Sequence, residues 1–243
     1  MTRVIHAISG ADADHFLQGL ITNDLEKMGG GLLYAAILTP QGKYLADFLL
    51  HRHEGAILLD VASELSVGLI RRLAMYKLRA DVTISETPLK VWRGTGPAPP
   101  GALADPRHAA LGWRRYGESE GDDGSDFDAI RVAHCIPESG IELTPETFIL
   151  EAGFERLNGV DFRKGCYVGQ EVTARMKHKT DLRKGLVTVE VSGIVPVGTE
   201  ILAQGKPAGT IYTQAQGRGI AHLRFDRATA PMQADDVAVS RPG

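Results

Sequence analysis

From Lys184 to its end, the chain consists of short apolar runs separated by glycine-containing turns, and this pattern restricts the fold more than any other feature. The runs are LVTVEV (186–191), ILAQGKPAGTIYT (201–213), GIAHLRF (219–225) and DVAVS (236–240). Short strands at such close spacing are typical of a small closed or sandwiched β unit. The sequence therefore predicts two regions, residues 1–183 and a separate β unit over residues 184–243.

The first region alternates predicted helices with predicted hairpins. Residues 9–25 predict a helix with Ser9 as N-cap and with Asp12 and Asp14 in the first turn, where the helix dipole favours negative charge. Residues 63–79 predict a second helix, capped by Ser63, with one apolar stripe of Leu65, Leu69, Leu73 and Tyr76. Predicted strands occupy 32–39, 44–50, 56–61, 81–86 and 89–94. This order favours an α+β class with mainly antiparallel strands.

Charge and apolar run length exclude two classes of partner. The formal net charge is −3, whereas general nucleic-acid binding needs a basic face that neutralises phosphates. The longest apolar run, Leu32–Leu38, is far shorter than the roughly 20 residues of a membrane-spanning helix. Asp12 and Asp14 argue against a transit peptide. We therefore expect no direct nucleic-acid partner, no membrane association and a cytoplasmic location.

The chain has two cysteines, Cys135 and Cys166. An iron–sulfur cluster ordinarily takes four cysteine ligands. This chain cannot hold such a cluster with its own cysteines alone.

Residues 158–180 contain an unusual density of special residue types. Cys166 lies two positions after Lys164 and shortly before a helix predicted from Gln170 onward, with a basic end at Lys177–Lys179. A nearby cation and a helix N-terminus both favour thiolate, so we expect a lowered pKa for an exposed Cys166. Gly165 and Gly169 allow close backbone approach or a positive φ. The alternative is that Cys166 is a small buried apolar residue, as lone cysteines commonly are.

The segment KGCYVGQE (164–171) resembles the signature of YgfZ-type folate-binding proteins, which act in iron–sulfur cluster maturation. Weaker similarities follow in the family's order: FLQGLITND (16–24), LTPQGKYLADF (38–48), YKLRADV (76–82), IRVAHCIPESG (130–140) and TAR (173–175). At Cys135 the family pattern has a glycine, so we interpret this cysteine as incidental.

The resemblance implies the fold of the glycine-cleavage T-protein, with two α+β lobes and a C-terminal β-barrel around a central channel. It implies a folate-binding accessory protein for assembly or repair of 4Fe–4S clusters, which indirectly affects tRNA thiomodification. The implied partners are iron–sulfur assembly proteins and client cluster enzymes, and the implied cofactor is tetrahydrofolate or a related folate. A transient cluster shared with a partner is a further expectation.

The implied site centres on Cys166, as a functional thiol and as one ligand of a shared cluster. The remaining signature residues are Lys164, expected to lower the pKa of that thiol, Gly165, Tyr167, Gly169, Gln170 and Glu171. Candidate folate contacts are Asn23, Asp24, Tyr167 and Arg175. Glu171 is expected either to bind free backbone N–H groups at the helix start or to pair with Arg175, one turn further on.

Two enzyme hypotheses stand beside this interpretation. One is a tetrahydrofolate-dependent aminomethyl or one-carbon transferase, which the resemblance to T-proteins suggests only at the level of fold. The other is a Cys–His enzyme in which tertiary structure brings His134 or His222 to Cys166, since His178, twelve residues away across a helix, is too far to pair by local geometry.

Overall fold

The computed structural model describes residues 2–178, 182–229 and 231–242. The chain forms two compact units, and each is built from two separate stretches of sequence. Unit 1 comprises Met1–Ser125 and Glu155–Val172, and unit 2 comprises Asp126–Phe154 and Thr173–Gly243. The sequence predicted a domain boundary between residues 183 and 184. That boundary refers only to the start of the barrel, and it stays a prediction.

Among its described residues, unit 1 contains two sheets and two α-helices that lie wholly within it. Its strands are β1 (Arg3–Ser9), β2 (Leu33–Leu38), β3 (Tyr44–His53), β4 (Ala56–Ala62), β5 (Thr83–Glu86), β6 (Lys90–Gly94), β7 (Leu103–Ala104), β8 (Trp113–Gly117) and β9 (Gly121–Asp122). The first sheet is antiparallel in the order β2-β3-β4-β1-β5, and the second has the order β7-β8-β6-β9, with β6 and β9 parallel. The helices are α1 (Ala13–Gln18) and α2 (Ser63–Lys77).

A buried ionic cluster connects the two sheets of unit 1. The Asp60 carboxylate on β4 accepts hydrogen bonds from Arg3 on β1 at 2.6 Å and from Arg114 on β8 at 3.2 Å. Arg114 also donates to Asp105 at 3.0 Å, and Arg107 pairs with Asp105 on its other side. Although burial alone would raise it, these guanidinium groups hold the pKa of Asp105 well below its usual range. The sequence patterns did not predict this cluster.

Unit 2 contains a closed barrel. Its strands are β10 (Lys184–Val191), β11 (Glu200–Ala203), β12 (Lys206–Ala215), β13 (Arg218–Arg224), β14 (Met232–Ala234) and β15 (Val237–Ser240), joined in the order β10-β13-β12-β11-β14-β15. Helix α3 (Phe127–Ala133) is attached to β12 because Arg131 donates to Thr213 Oγ1 at 3.0 Å. Helix α4 (Gln170–His178) crosses the division between residues 172 and 173. The predicted α+β class with a C-terminal β-barrel is confirmed.

The first predicted helix is wrong in extent. Helix α1 covers only residues 13–18, and Ser9 is the last residue of β1 rather than an N-cap. The carbonyl groups of Gln18, Ile21 and Asn23 accept hydrogen bonds from a lysine far along the chain instead of from a continuing helix. Helix α2 matches its prediction closely, with Leu69 and Leu73 buried, but its N-cap is Ala62 rather than Ser63.

Two further observations concern the helices. Within the described ranges, none of them combines the length and apolar character that crossing a bilayer requires. In α4 the last turn carries the expected Lys177 and His178 together with Arg175, whereas the predicted basic residue Lys179 lies outside the described residues.

Candidate functional site

Lys164 fastens the signature segment to the end of helix α1. Its ammonium group donates to the carbonyl oxygens of Gln18 at 2.7 Å, Ile21 at 2.6 Å and Asn23 at 3.0 Å. A lysine ammonium has three N–H donors, so these bonds use all of them. Lys164 is therefore a buried tether between the signature segment and residues 18–23.

The surroundings of Lys164 are partly apolar. Its Nζ lies 5.1 Å from the centre of the buried Tyr167 ring, in cation–π geometry. Burial lowers the pKa of Lys164 to about 8, against the opposing influence of Asp24 and Asp161. Tyr167 therefore has a structural role, because its ring packs over the Lys164 ammonium group. Its expected contact with folate stays a prediction.

Gly169 fixes the other side of the segment through close backbone packing. Its φ is +83°, and a Cβ added there would lie 2.6 Å from the carbonyl oxygen of Thr39. Gly42, in the turn after β2, approaches Val172 equally closely, with an added Cβ 2.8 Å from Val172 Cβ. Gly165 differs, because an added Cβ would meet nothing within 4 Å. Close backbone packing and a positive φ therefore require glycine at position 169, whereas the space around position 165 does not require it.

Cys166 lies between these two attachment points and is exposed. Within the described part of the chain, its thiol takes part in no hydrogen bond or ion pair. The Lys164 ammonium has no N–H left to donate to a thiolate, so its hydrogen bonds act on the backbone and not on the sulfur. A Cys–His catalytic pair needs an imidazole within hydrogen-bond reach of the thiol. Within the described ranges, the Cys166 thiol forms no hydrogen bond with an imidazole.

Cys135 occupies a different environment. It is half-buried, and its φ of +50° is in the left-handed region that favours glycine. This geometry explains the glycine of the family pattern at that position and agrees with an incidental cysteine.

The remaining signature residues begin helix α4. Gln170 is its first residue, and its backbone N–H donates to the carbonyl of Tyr167 at 3.2 Å. Glu171 is in the first turn and Arg175 in the last turn of the same helix. The expected pairing between Glu171 and Arg175 stays a prediction.

A cavity of about 460 Å³ lies within unit 1, next to the signature segment in sequence. Its lining includes Asn23, Lys27, Tyr34, Asn158, Asp161 and Arg163, with Leu32, Leu33, Pro106, Glu155, Val160 and Phe162 completing the wall. A volume of this size is within the usual range of small-molecule sites, which combine apolar walls with a few polar groups. Of the four candidate folate contacts, Asn23 lines this cavity, whereas Asp24, Tyr167, Arg175 and the thiol-bearing Cys166 are not in its wall.

Asn23 and Asp24 both hold the local backbone in place. The Asn23 side-chain amide donates to the carbonyl groups of Tyr34 and Asn158, at 2.8 Å each. Asp24 caps a short 3-10 turn over Leu25–Lys27 by accepting from the backbone N–H of Glu26. Asn23 therefore joins two walls of the cavity, and Asp24 supports the turn beside it.

Asp161 and Arg163 are cavity residues that the sequence analysis did not single out as ligand contacts. The Asp161 carboxylate pairs with Lys27 and accepts from the backbone N–H of Arg163 at 2.6 Å. Although burial alone would raise it, these donors hold the pKa of Asp161 below its ordinary value. The exposed Arg163 guanidinium has no ion pair within the described part of the chain. Their place in the sequence could have identified both residues, because they lie within three positions before the signature.

Among residues 2–178, 182–229 and 231–242, no group of three or more His, Cys, Asp or Glu side chains is arranged to hold a metal ion.

The fold is shared with a solved enzyme structure. The aminomethyltransferase T of the glycine cleavage system from Bartonella henselae superposes with a TM-score of 0.78 at 14% sequence identity, covering 99% of this chain and 83% of that chain. At this identity the likeness shows the fold alone, which is that of the glycine-cleavage T-protein, as expected. Residues 183–241 match the family model described as the CAF17 C-terminal β-barrel domain.

Sequence comparison gives the particular family. The human mitochondrial iron–sulfur cluster assembly factor IBA57 is 32% identical in an alignment 276 positions long. The alignment covers 95% of this chain and 78% of the human protein. The mouse protein of the same name is 32% identical with the same coverage, and a Mycosarcoma maydis homologue is 30% identical over 76% of this chain. The chain belongs to the IBA57 family of iron–sulfur cluster assembly factors.

These comparisons change two expectations. The matches support the expected iron–sulfur assembly family with the T-protein fold. The relatives are named IBA57, however, and not after the related YgfZ type that the signature segment resembles. The same relatives are named as mitochondrial proteins, and this finding overturns the expectation of a cytoplasmic location.

Proposed function

We propose that this protein assists the assembly or repair of 4Fe–4S clusters by offering Cys166 as one thiolate ligand. The observation that carries the proposal is an exposed thiol without a hydrogen-bond partner among the described residues, on a segment attached at both sides. The names of the relatives, which are iron–sulfur cluster assembly factors, support the same function.

The attachment of the segment suits this role. A ligand that must meet a cluster on another protein benefits from a fixed position, because less conformational entropy is lost on binding. Lys164 holds the segment two residues before the thiol, and Gly169 holds it three residues after. Between them, Gly165 leaves open space beside the sulfur-bearing residue.

The number of cysteines requires a second protein. Because Cys135 is half-buried and sits in a left-handed turn, Cys166 is the thiol available to an external cluster. The other ligands would come from an iron–sulfur assembly protein or from a client enzyme that receives the cluster. On binding, the thiol loses its proton to solvent and the thiolate takes one coordination position on iron. Client enzymes would include those of tRNA thiomodification, which would then respond indirectly.

We also propose that the unit 1 cavity binds a folate, as the resemblance to YgfZ-type proteins implies. Its composition fits such a ligand, because Phe162 offers aromatic surface and the polar wall carries amide and charged groups. The free guanidinium of Arg163 would hold the carboxylates of the glutamate tail. Bound tetrahydrofolate would supply one-carbon chemistry of the kind associated with the T-protein fold.

The thiol proposal is tested by replacing each cysteine in turn. Cys166→Ser is expected to leave the melting temperature nearly unchanged, since surface substitutions usually alter stability by less than about 0.5 kcal/mol. The same variant should fail to restore the activity of a 4Fe–4S enzyme in cells that lack their own copy of this protein.

Cys135→Ser is the matched control and is expected to restore that activity fully. A second readout is the iron–sulfide charge-transfer absorbance after reconstitution of the purified chain together with an assembly partner, which should require Cys166. Full restoration of the enzyme by Cys166→Ser would contradict the proposed role of the thiol.

A further inference from the structure

Helix α2 presents an exposed apolar face that the rest of the described chain does not cover. Val67 is 62% exposed and Met75 is 66% exposed, while the helix buries Leu69 and Leu73 on its opposite side. Residues 67, 71, 74 and 75 follow helical spacing, so the two apolar side chains lie on one face with Arg71 and Ala74 between them.

The residue that ends this helix adds a second, independent observation. Leu78 is the C-cap, with φ +48°, a position where glycine is usual because an L side chain is strained there. Its side chain is 87% exposed, so no packing within the described chain offsets that strain. A large apolar residue that is both strained and exposed indicates a contact made with another molecule.

The charges around this face are predominantly positive. Arg71 and Arg79 are exposed and Arg72 is half-buried, and none of the three forms an ion pair within the described ranges. The single acidic side chain on the helix is Glu64, in its first turn. A partner with acidic side chains beside an apolar stripe would therefore match this face in both polarity and charge.

We propose that Val67, Met75 and Leu78, flanked by Arg71, Arg72 and Arg79, form a docking surface for an acidic amphipathic helix of another protein. Val67 and Leu78 are eleven positions apart, which corresponds to roughly 16 Å along a helix axis, enough to contact three turns of a partner helix. Methionine at its centre can adapt to the side chains of such a partner. The docking surface contains no residue of the signature segment, so its test is independent of the role of Cys166.

The experiment uses the full chain and three labelled synthetic peptides. One is an acidic amphipathic helix with leucine along one face and glutamate elsewhere, the second has lysine in place of glutamate, and the third is a scrambled form of the first. Fluorescence anisotropy should show binding of the acidic helix alone. Binding should weaken with rising salt because the ion pairs are solvent-exposed.

Three substitutions locate the binding surface. Met75→Glu, Leu78→Gly and Arg71→Glu should each weaken binding of the acidic peptide by about tenfold, as expected for an interface anchor. Leu78→Gly should do so without lowering the melting temperature, since it removes the strained side chain. Ile194→Glu and Arg218→Glu are the matched controls, because both side chains are exposed in unit 2, and they should bind like the unaltered chain.

Several results would overturn this docking surface. These are no binding of the acidic peptide, equal binding of the basic peptide, or unchanged affinity in the three variants. Two competing occupants are measured in parallel. Binding to vesicles of phosphatidylcholine and phosphatidylglycerol that the three variants abolish would assign the face to a lipid surface, and a dimer in sedimentation that they dissociate would assign it to a second copy of this chain.

Discussion

Glycine at position 169 is required by two separate features of its surroundings. The φ of +83° strains any L side chain, and an added Cβ would approach the Thr39 carbonyl oxygen to 2.6 Å. Gly169→Ala is therefore expected to lower the free energy of unfolding by about 2 kcal/mol or more, measured by urea denaturation. Loss of cluster-enzyme support should accompany it, because the segment holding Cys166 would shift.

Gly165→Ala provides the comparison, since it lies in the same signature and one residue from the thiol. With nothing within 4 Å of an added Cβ, it should change the free energy of unfolding by less than about 0.5 kcal/mol. An equal loss of stability in both variants would mean that close packing at Gly169 is not what the backbone requires.

At the scale of single residues, the sequence predicted the position of the thiol better than the roles of its neighbours. The residue types around Cys166 favoured an exposed, functional side chain, and exposure is confirmed. The expected electrostatic role of Lys164 depended on its closeness along the chain. In the structure its ammonium donates to residues about 140 positions earlier, and no local pattern contains that information.

The tether between Lys164 and residues 18–23 is a property of elements, and its stability depends on pH. Lys164→Met leaves three carbonyl groups without their donor and should lower the free energy of unfolding at pH 7 by about 1–3 kcal/mol. Burial places the pKa of Lys164 at about 8 in the folded chain, below the ordinary 10.5. Between these values the unfolded chain holds more protons, so this group favours folding increasingly as pH rises.

The difference in unfolding free energy between the unaltered chain and Lys164→Met should therefore widen from pH 8 to about 10, by at most about 1.4 kcal/mol per pH unit. Urea denaturation of both proteins at pH 7, 8, 9 and 10 measures it. Parallel curves for the two proteins would contradict a buried lysine with a lowered pKa.

Elements set by short-range patterns were predicted well. The hairpin strands β2, β3 and β4 and helix α2 agree closely with their sequence intervals, because alternation and helical spacing are local. The helix expected over residues 9–25 was wrong in extent. Strand β1 continues to Ser9, and beyond Gln18 the carbonyl groups of Ile21 and Asn23 accept from Lys164 rather than from backbone N–H groups. Strand β1 pairs with β4 and β5, both distant in sequence, and was not predicted.

Ligand binding to the unit 1 cavity would act on the stability of the whole molecule. Tetrahydrofolate at about 100 times its Kd should raise the Tm by roughly 5 °C or more, because it stabilises the folded state by mass action. Arg163→Ala should reduce this shift, and Arg218→Ala, which removes an exposed arginine of unit 2, should preserve it. Differential scanning fluorimetry gives the comparison. An unchanged Tm at saturating ligand would remove folate from the proposed function.

The cavity itself could not be predicted from single segments of the sequence. Its wall comes from residues 23–34, Pro106 and 155–163, which are brought together by the pairing of Thr22 with Gly159 and of Asn23 with Asn158. The resemblance to known families supplied Asn23. Asp161 and Arg163 lie within three positions before the signature, but it is the folded chain that places them in the cavity wall. The barrel, by contrast, is continuous in sequence and was predicted as a β unit from its strand spacing.

The discontinuity of unit 1 has a consequence for biosynthesis. The ribosome delivers the residues up to Ser125 before the 29-residue stretch Asp126–Phe154 that belongs to unit 2, and Glu155–Val172 only after that stretch. Until that last stretch emerges, the carbonyl groups awaiting Lys164 and the surface awaiting Gly169 remain uncovered on a nascent chain. Unit 1 cannot finish folding before Val172 has been synthesised, so until then the nascent chain exposes surfaces that are prone to aggregation.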